Sequence, residues 1–271
     1  MKALRGVYII WYRDLLRLWR DKIRIVGAIA LPILFLIIFG SGLSRTMGML
    51  APGVDFTKFM YPGIIGMTVL MTSLMSAVSI VWDREFGFLR EVLVAPVSRA
   101  SVVMGKALGG ATVAMLQGTI ILLLAPIFGI PLSLLFVLKL WGLMLLVAWA
   151  LGGLGILIAS RMRSMEAFQI VMQMLVFPMV FLSGVFFPVG NLPAWLNVIV
   201  KINPATYGVD AIRQFMLGRI LPQGIPAVAE MSPLELTLFG HTMSLANDLL
   251  VIAGFGVLTV TLAMWSFGRQ E

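Results

Sequence analysis

The chain of 271 residues contains no cysteine and a single histidine, His241. It therefore has no disulfide framework, no thiolate nucleophile and no cysteine-ligated metal, and one histidine cannot build a multi-histidine metal site within one chain. Charge is also scarce: 12% of residues are charged, about half the usual share in soluble domains. Too little polar surface remains to coat a water-soluble globule of this size, which excludes an ordinary cytosolic enzyme. A hydrophobic fraction of 60% excludes a disordered chain. No G-x-x-x-x-G-K-[ST] loop is present to cradle nucleotide phosphates. Gly105-Lys106 lacks both the upstream glycine and the following Ser or Thr. What the chain does have is apolar length, with a mean hydropathy of +1.02, and this points to a polytopic membrane protein.

A helix crosses a bilayer with about 20 mostly apolar residues. Six such runs are present: Ile23 to Leu43, Met60 to Trp82, Ser101 to Phe128, Leu134 to Ser160, Ala167 to Phe187 and Leu245 to Phe267. Pro32 and Pro178 lie inside spans, where proline removes a backbone hydrogen bond and is expected to kink the helix. Six crossings place both termini on one side. With that side inside, 14 of the 20 Lys and Arg residues fall on inner segments and 6 elsewhere, which puts both termini in the cytoplasm. The charged start lacks a small-residue cleavage site after the first apolar run, so it does not read as a removable signal. The expected fold class is an all-α polytopic membrane protein forming one domain, 1–271, with no internal repeat.

Before the first span, Lys2 to Asp21 places Leu4, Val7, Tyr8, Trp11, Leu15, Leu18 and Trp19 on one side of a helical wheel and Lys2, Arg5, Arg13, Arg17 and Arg20 on the other. That is the pattern of an amphipathic helix lying in the membrane interface. It reads either as a cytoplasmic elbow touching a cytosolic partner or as a topology anchor. Between spans two and three, Asp83 to Pro96 mixes charges with Phe86, Phe88, Leu89, Val92 and Leu93 at helical spacing, and Pro96 ends the run. A short amphipathic helix on the inner face must bury its apolar side, in a soluble partner's groove or in the lipid interface.

At this point the sequence resembles a known family. Asp83-Arg84-Glu85-Phe86-Gly87, then Leu93, Pro96, Ser98-Arg99 and Gly105-Lys106, is similar to the first cytoplasmic loop of ABC-2-type transporter permeases. Leu182-Ser183-Gly184-Val185-Phe186-Phe187-Pro188, then Leu192-Pro193, Asn203-Pro204, Tyr207 and Arg213, resembles the family's signature region after span five. Ala205 departs from the pattern, standing where a larger apolar residue is common. The look is nearest to daunorubicin-resistance-type drug exporters, and polysaccharide-export permeases share much of it. The resemblance implies a homodimer in the cytoplasmic (plasma) membrane of a prokaryote, bound to two copies of a separate cytosolic ATPase. The chain itself would then be no enzyme and hold no cofactor, ATP and Mg belonging to that partner; no nucleic-acid partner is implied. Glu85 to Val94 would be the coupling helix, contacting the ATPase through Glu85, Phe86, Gly87, Leu89, Arg90 and Leu93. Arg161 to Phe168, with Arg163 and Glu166, would be a shorter second contact.

Within the spans, Thr68, Thr72, Ser76 and Ser79 share one face of span two, beside Met67, Met71 and Met75. Gln169, Gln173, Phe177 and Phe181 recur every four residues in span five. Polar side chains avoid lipid, so these stripes face protein or a cavity. One reading is a substrate path through Thr68, Met71, Thr72, Met75, Gln169, Gln173, Phe177 and Phe181, suited to amphipathic drugs or lipids. The other is helix–helix packing, which is also the expected role of Gly152, Gly153 and Gly155. No charged residue is expected at the middle of any span. Pro188 to Ser244 lies outside, with short interfacial or re-entrant helices over Leu192 to Val200 and Tyr207 to Leu217. Pro204, Tyr207 and Arg213 there are candidate gate residues or structural ones, Asp210 and Arg213 can pair across a helical turn, and His241 reads as a solvated loop residue.

Overall fold

The computed structural model describes residues 2–20, 22–50, 56–86, 98–186, 192–220, 237–238 and 241–269. These form ten α-helices: α1 (Lys2–Arg20), α2 (Lys22–Leu50), α3 (Phe56–Ser76), α4 (Val78–Glu85), α5 (Arg99–Leu123), α6 (Leu134–Arg161), α7 (Met165–Phe181), α8 (Ala194–Ile202), α9 (Pro204–Ile220) and α10 (Leu245–Gly268). A 3-10 turn, Ala125–Phe128, follows α5. In the external segment, β1 (Thr237–Leu238) and β2 (His241–Thr242) pair antiparallel, so His241 belongs to a small β ladder rather than to a plain loop.

Serine starts four of the long helices. Ser98, Ser133, Ser164 and Ser244 each accept a hydrogen bond from the backbone N–H three residues on, filling one of the amide donors a helix start leaves open. These caps move the third and fifth apolar runs slightly: α5 begins at Arg99 instead of Ser101, and α7 at Met165 instead of Ala167. Span two is broken. α3 ends at Ser76, Ala77 forms a turn, and α4 carries the inner stub to Glu85. Pro32, Pro62 and Pro178 all lie within continuous helices.

Among the described residues, Met60–Glu85, Arg99–Leu123, Leu134–Arg161 and Leu245–Phe267 are long and apolar enough to cross a membrane, while Ile29–Gly40 of α2 and Met165–Phe181 form shorter apolar helices. α3 is the hub of the bundle. Every residue from Met60 to Leu70 is buried, and the helix packs against α2, α5, α6 and α9. α10 lies along α6, where Thr259 Oγ1 donates to the Ala150 carbonyl at 3.2 Å. Two of the expected packing glycines serve this closeness. A Cβ on Gly153 would stand 2.7 Å from Thr259 Oγ1, and one on Gly155 would stand 2.6 Å from the Leu74 carbonyl oxygen. A side chain there would push the helices apart.

The N-terminal helix departs from the simple interfacial picture. α1 is docked on α5, with Ile10 and Leu18 buried, while Leu4, Tyr8, Tyr12, Leu16 and Trp19 are exposed. Gly105 makes this possible, because a Cβ there would lie 2.8 Å from the Ile10 Cβ. Trp11 Nε1 donates to Thr112 Oγ1 at 3.0 Å. The wheel's apolar side is therefore divided between protein and membrane, and part of its charged side turns inward.

Candidate functional site: a charged clasp, a cavity and a buried arginine

At the Glu85 end of span two, three consecutive side chains reach three different neighbours. Asp83, 6% exposed, accepts from Arg13 Nη2 at 2.6 Å and lies 3.1 Å from Lys106 Nζ and 3.9 Å from Arg17 Nη1. Arg84 Nη1 donates to the carbonyls of Ser160 at 2.9 Å and Met162 at 2.6 Å, covering acceptors that the end of α6 leaves open. Glu85 Oε2 accepts from the Met165 N–H at 2.9 Å, a carboxylate at the start of α7, where the helix dipole favours negative charge. Asp83-Arg84-Glu85 thus ties the stub of span two to α1, α5, α6 and α7. Lys106 completes the cluster: its ammonium also lies 3.1 Å from Asp14 Oδ1 and donates to Ser79 Oγ at 2.9 Å. The sequence reading put Lys106 in the inner loop. It sits instead inside α5 with 5% exposure, desolvated and held by two carboxylates.

The clasp stands immediately before the candidate coupling helix. Gly87, Leu89, Arg90 and Leu93 lie outside the described residues. Phe86 is 60% exposed and stacks on Trp82 at 4.8 Å between ring centroids. Arg163 and Glu166 are exposed at the α6–α7 junction. Of the coupling residues, Glu85 has a structural partner as well.

The two candidate substrate stripes are not brought into one cavity. Thr68, Met71, Thr72 and Met75 line a cavity of about 190 Å³ together with Leu31, Pro32 and Gln117, between α2, α3 and α5. Thr68 Oγ1 donates to its own helix at Ile64 O, 2.8 Å away, and Thr72 Oγ1 donates to Gln117 Oε1. Gln169, Gln173, Phe177 and Phe181 instead form an exposed face of α7 with Ile170 and Met174. Both stripes were expected to face protein or a cavity; the α3 stripe does, whereas the α7 stripe is exposed on this chain, because periodicity does not tell which neighbour a face meets.

At the far end of the bundle from the clasp, the described part of the signature region packs onto α9. Gly184 takes a left-handed φ of 80°, a conformation that suits glycine, and its carbonyl and that of Val185 accept from Arg213 Nη2. Arg213 is fully buried. Asn203 Nδ2 donates to Met179 O at 2.9 Å while its Oδ1 accepts from the Ala205 N–H at 3.0 Å, so it caps α9 and pins that helix to α7. Pro204 is the first residue of α9, where the missing N–H costs nothing. Ala205 is fully buried in this turn. Tyr207 OH donates to Lys201 O at 2.6 Å. Arg213 holds carbonyls of the preceding turn, and Asp210 accepts from Gln214 Nε2 at 2.9 Å while its charge also interacts with that of Arg213. The same Gln214 nitrogen donates to Asp248 Oδ2 of α10 at 3.1 Å. Burial raises the Asp210 carboxyl above the usual carboxylate range, offset in part by the Gln214 hydrogen bond and the Arg213 charge. Buried charge is therefore present near both membrane faces, although none was expected at mid-span.

The long apolar helices agree with the comparisons with known proteins. The family profile described as ABC-2 type transporter matches residues 5–217. The chain is 29% identical over 214 residues to the putative transport permease ycf38 of Cyanophora paradoxa, covering 78% of this chain and 73% of that protein. It is 30% identical over 173 residues to the probable multidrug ABC transporter permease YbhR of Escherichia coli (strain K12), covering 61% of this chain and 45% of that one, so it spans under half of that relative. It is 28% identical over 216 residues to nodulation protein J of Rhizobium leguminosarum bv. viciae, covering 78% and 82%. The chain is an integral membrane protein and belongs to the ABC-2 type transporter family of permeases.

Proposed function

We propose that this chain is the membrane-spanning subunit of an ATP-driven exporter, crossing six times with both termini in the cytoplasm of a prokaryote and moving an amphipathic drug or lipid-like molecule outward. Two copies pair, and two copies of a separate ATPase supply the energy. The observation that carries this reading is the Asp83-Arg84-Glu85 clasp. It connects the segment just before 87–93 to four helices at once, so a push from a cytosolic motor would reach the whole inner rim as rigid-body motion. The apolar, methionine-lined cavity favours an amphiphile over a sugar polymer. The pairing face is the exposed side of α7, where Gln173, Met174 and Phe177 stand open. Span two, a candidate from sequence, is buried inside the protomer.

Replacing residues 87–93 by a Gly-Ser linker leaves Glu85 and its bond to Met165 intact. Co-purification of the ATPase and transport-linked ATP hydrolysis should then be lost while the permease still folds. Unchanged ATPase binding and transport would refute the coupling assignment. Because the chain has no cysteine, Gln173→Cys can form a disulfide only between copies. A cross-linked dimer in native membranes is the expected result, and monomer alone under oxidation would remove α7 from the interface.

A further inference from the structure

Gln117 is an anomaly for a lipid-soluble helix. It lies in the apolar α5, 2% exposed, and a buried amide costs free energy unless its hydrogen-bonding groups are met. Its Oε1 accepts from Thr72. Its amide nitrogen has no partner among the described residues, and the side chain forms part of the wall of the 190 Å³ cavity. The rest of the lining is apolar, Pro32 and Leu31 of α2 with Met71 and Met75 of α3, apart from Thr68 and Thr72, whose hydroxyls already donate to Ile64 O and Gln117 Oε1. Gln117 lies eleven residues beyond Lys106 on α5, about 16 Å along a helix axis at 1.5 Å per residue. Lys106 marks the inner polar cluster, so Gln117 stands near the midplane of a hydrocarbon core about 30 Å thick. A smaller cavity of about 30 Å³ shares Val113 with it and runs down to Asp14 and Arg17 of α1.

We infer that this cavity is a binding site for an aromatic or similarly compact apolar molecule that carries a hydrogen-bond acceptor, such as a ketone or ester carbonyl, with Gln117 as the residue that selects it. The volume fits one ring system, since an apolar cavity of about 150 Å³ holds a benzene-sized guest. Methionines repack around varied shapes, so shape selection is loose, while the lone amide donor supplies the polar preference. A guest without an acceptor leaves that donor unmet, and the mismatch sets the discrimination. Ordinary phospholipid esters sit at the interface, well short of Gln117. The site therefore favours molecules whose polar atom rides inside the apolar body. This deepens the exporter reading by naming the chemistry of its substrate, and it rests on that reading for the claim that the guest is cargo.

The test uses benzophenone, which is at once an aromatic ketone and a photoreactive probe, on the full chain in lipid nanodiscs, with diphenylmethane as the same shape lacking the carbonyl. Illumination should give saturable labelling at Met71 and Met75, mapped by mass spectrometry, above the level at Met174, which lies outside the cavity on α7. Gln117→Leu should weaken half-saturation by benzophenone about tenfold, the equivalent of one hydrogen bond, and leave competition by diphenylmethane unchanged. Gly27→Leu should abolish the saturable labelling. A Cβ at Gly27 meets nothing within 4 Å, so this variant fills the cavity without a clash and keeps the test alive if Gln117→Leu fails to fold. Labelling that never saturates, that matches Met174, or that survives Gly27→Leu would overturn the site. So would equal benzophenone affinity in Gln117→Leu. No ATPase or nucleotide is needed, so a failure here leaves the 87–93 replacement standing, and a failure there leaves this result standing.

Discussion

Replacing Lys106 by methionine removes an ammonium and keeps an unbranched stem of similar length. In the fold the ammonium lies 3.1 Å from Asp14 Oδ1, 3.1 Å from Asp83 Oδ2 and 2.9 Å from Ser79 Oγ, which uses all three of its protons. The side chain is 4% exposed, so water cannot take over. Removing one partner of a buried ion pair costs about 3–5 kcal/mol, mostly because the other charge is stranded. Here Asp83 keeps Arg13 at 2.6 Å, which lowers the expected loss to about 2–4 kcal/mol. Thermal unfolding of the purified chain in detergent should then fall by about 5–10 °C. The decisive measurement is the cycle with Asp14→Asn. Asp14 is stranded only when Lys106 is absent, so the double variant should be more stable than the sum of the single losses predicts, by at least about 1 kcal/mol. Additivity within about 0.5 kcal/mol, or a Lys106→Met protein as stable as the original, would show that the cluster does not hold α1 to the bundle.

Gly105→Leu should expel α1 from α5, since Ile10 and the Val7 carbonyl oxygen stand 2.8 Å and 3.0 Å from the new Cβ; faster proteolytic release of the first 20 residues measures it. Asn203→Ala should cost about 1–3 kcal/mol by losing a cap and a bond to Met179 O, read as a lower unfolding temperature without loss of ATPase binding. For Asp210, a carboxyl whose folded value is raised to about 6 contributes stability below its unfolded value of 3.8 and loses it as pH rises through about 6. Asp210→Asn, neutral at every pH, should therefore raise the unfolding temperature most at pH 8 and change it little near pH 3.5, with Asp248, Arg213, Gln214 and Tyr207 left in place around it. An equal shift at both values would contradict the raised value.

Spans two, three, four and six were legible because each is a run long enough to cross a bilayer, and several helix starts were also written in the chain, as serines just before Arg99, Leu134, Met165 and Leu245. The short helices over Leu192 to Val200 and Tyr207 to Leu217 were expected, and they form α8 and α9. What could not be read were meetings between distant positions. Arg13 and Asp83 are 70 residues apart, and Thr72 and Gln117 are 45 apart; neither pair leaves a local pattern. Lys106 was misplaced because a charge near the start of an apolar run looks like loop, and only its two carboxylate partners explain its burial. Gln117 was passed over because a single polar residue among apolar ones has no periodicity. Helical period groups the α3 and α7 stripes, yet it describes one cylinder and carries no information on which side of it α2 will lie.

An amphipathic segment that merely floats at a bilayer surface takes its depth from the lipids, and it sinks or lifts with headgroup charge. The glycine seat under Ile10 and the tether from Trp11 to Thr112 remove that freedom. The first helix of this permease is anchored to its own bundle, so its height should be the same in neutral and anionic bilayers, and a cytosolic protein touching it would find the same surface whatever the membrane composition.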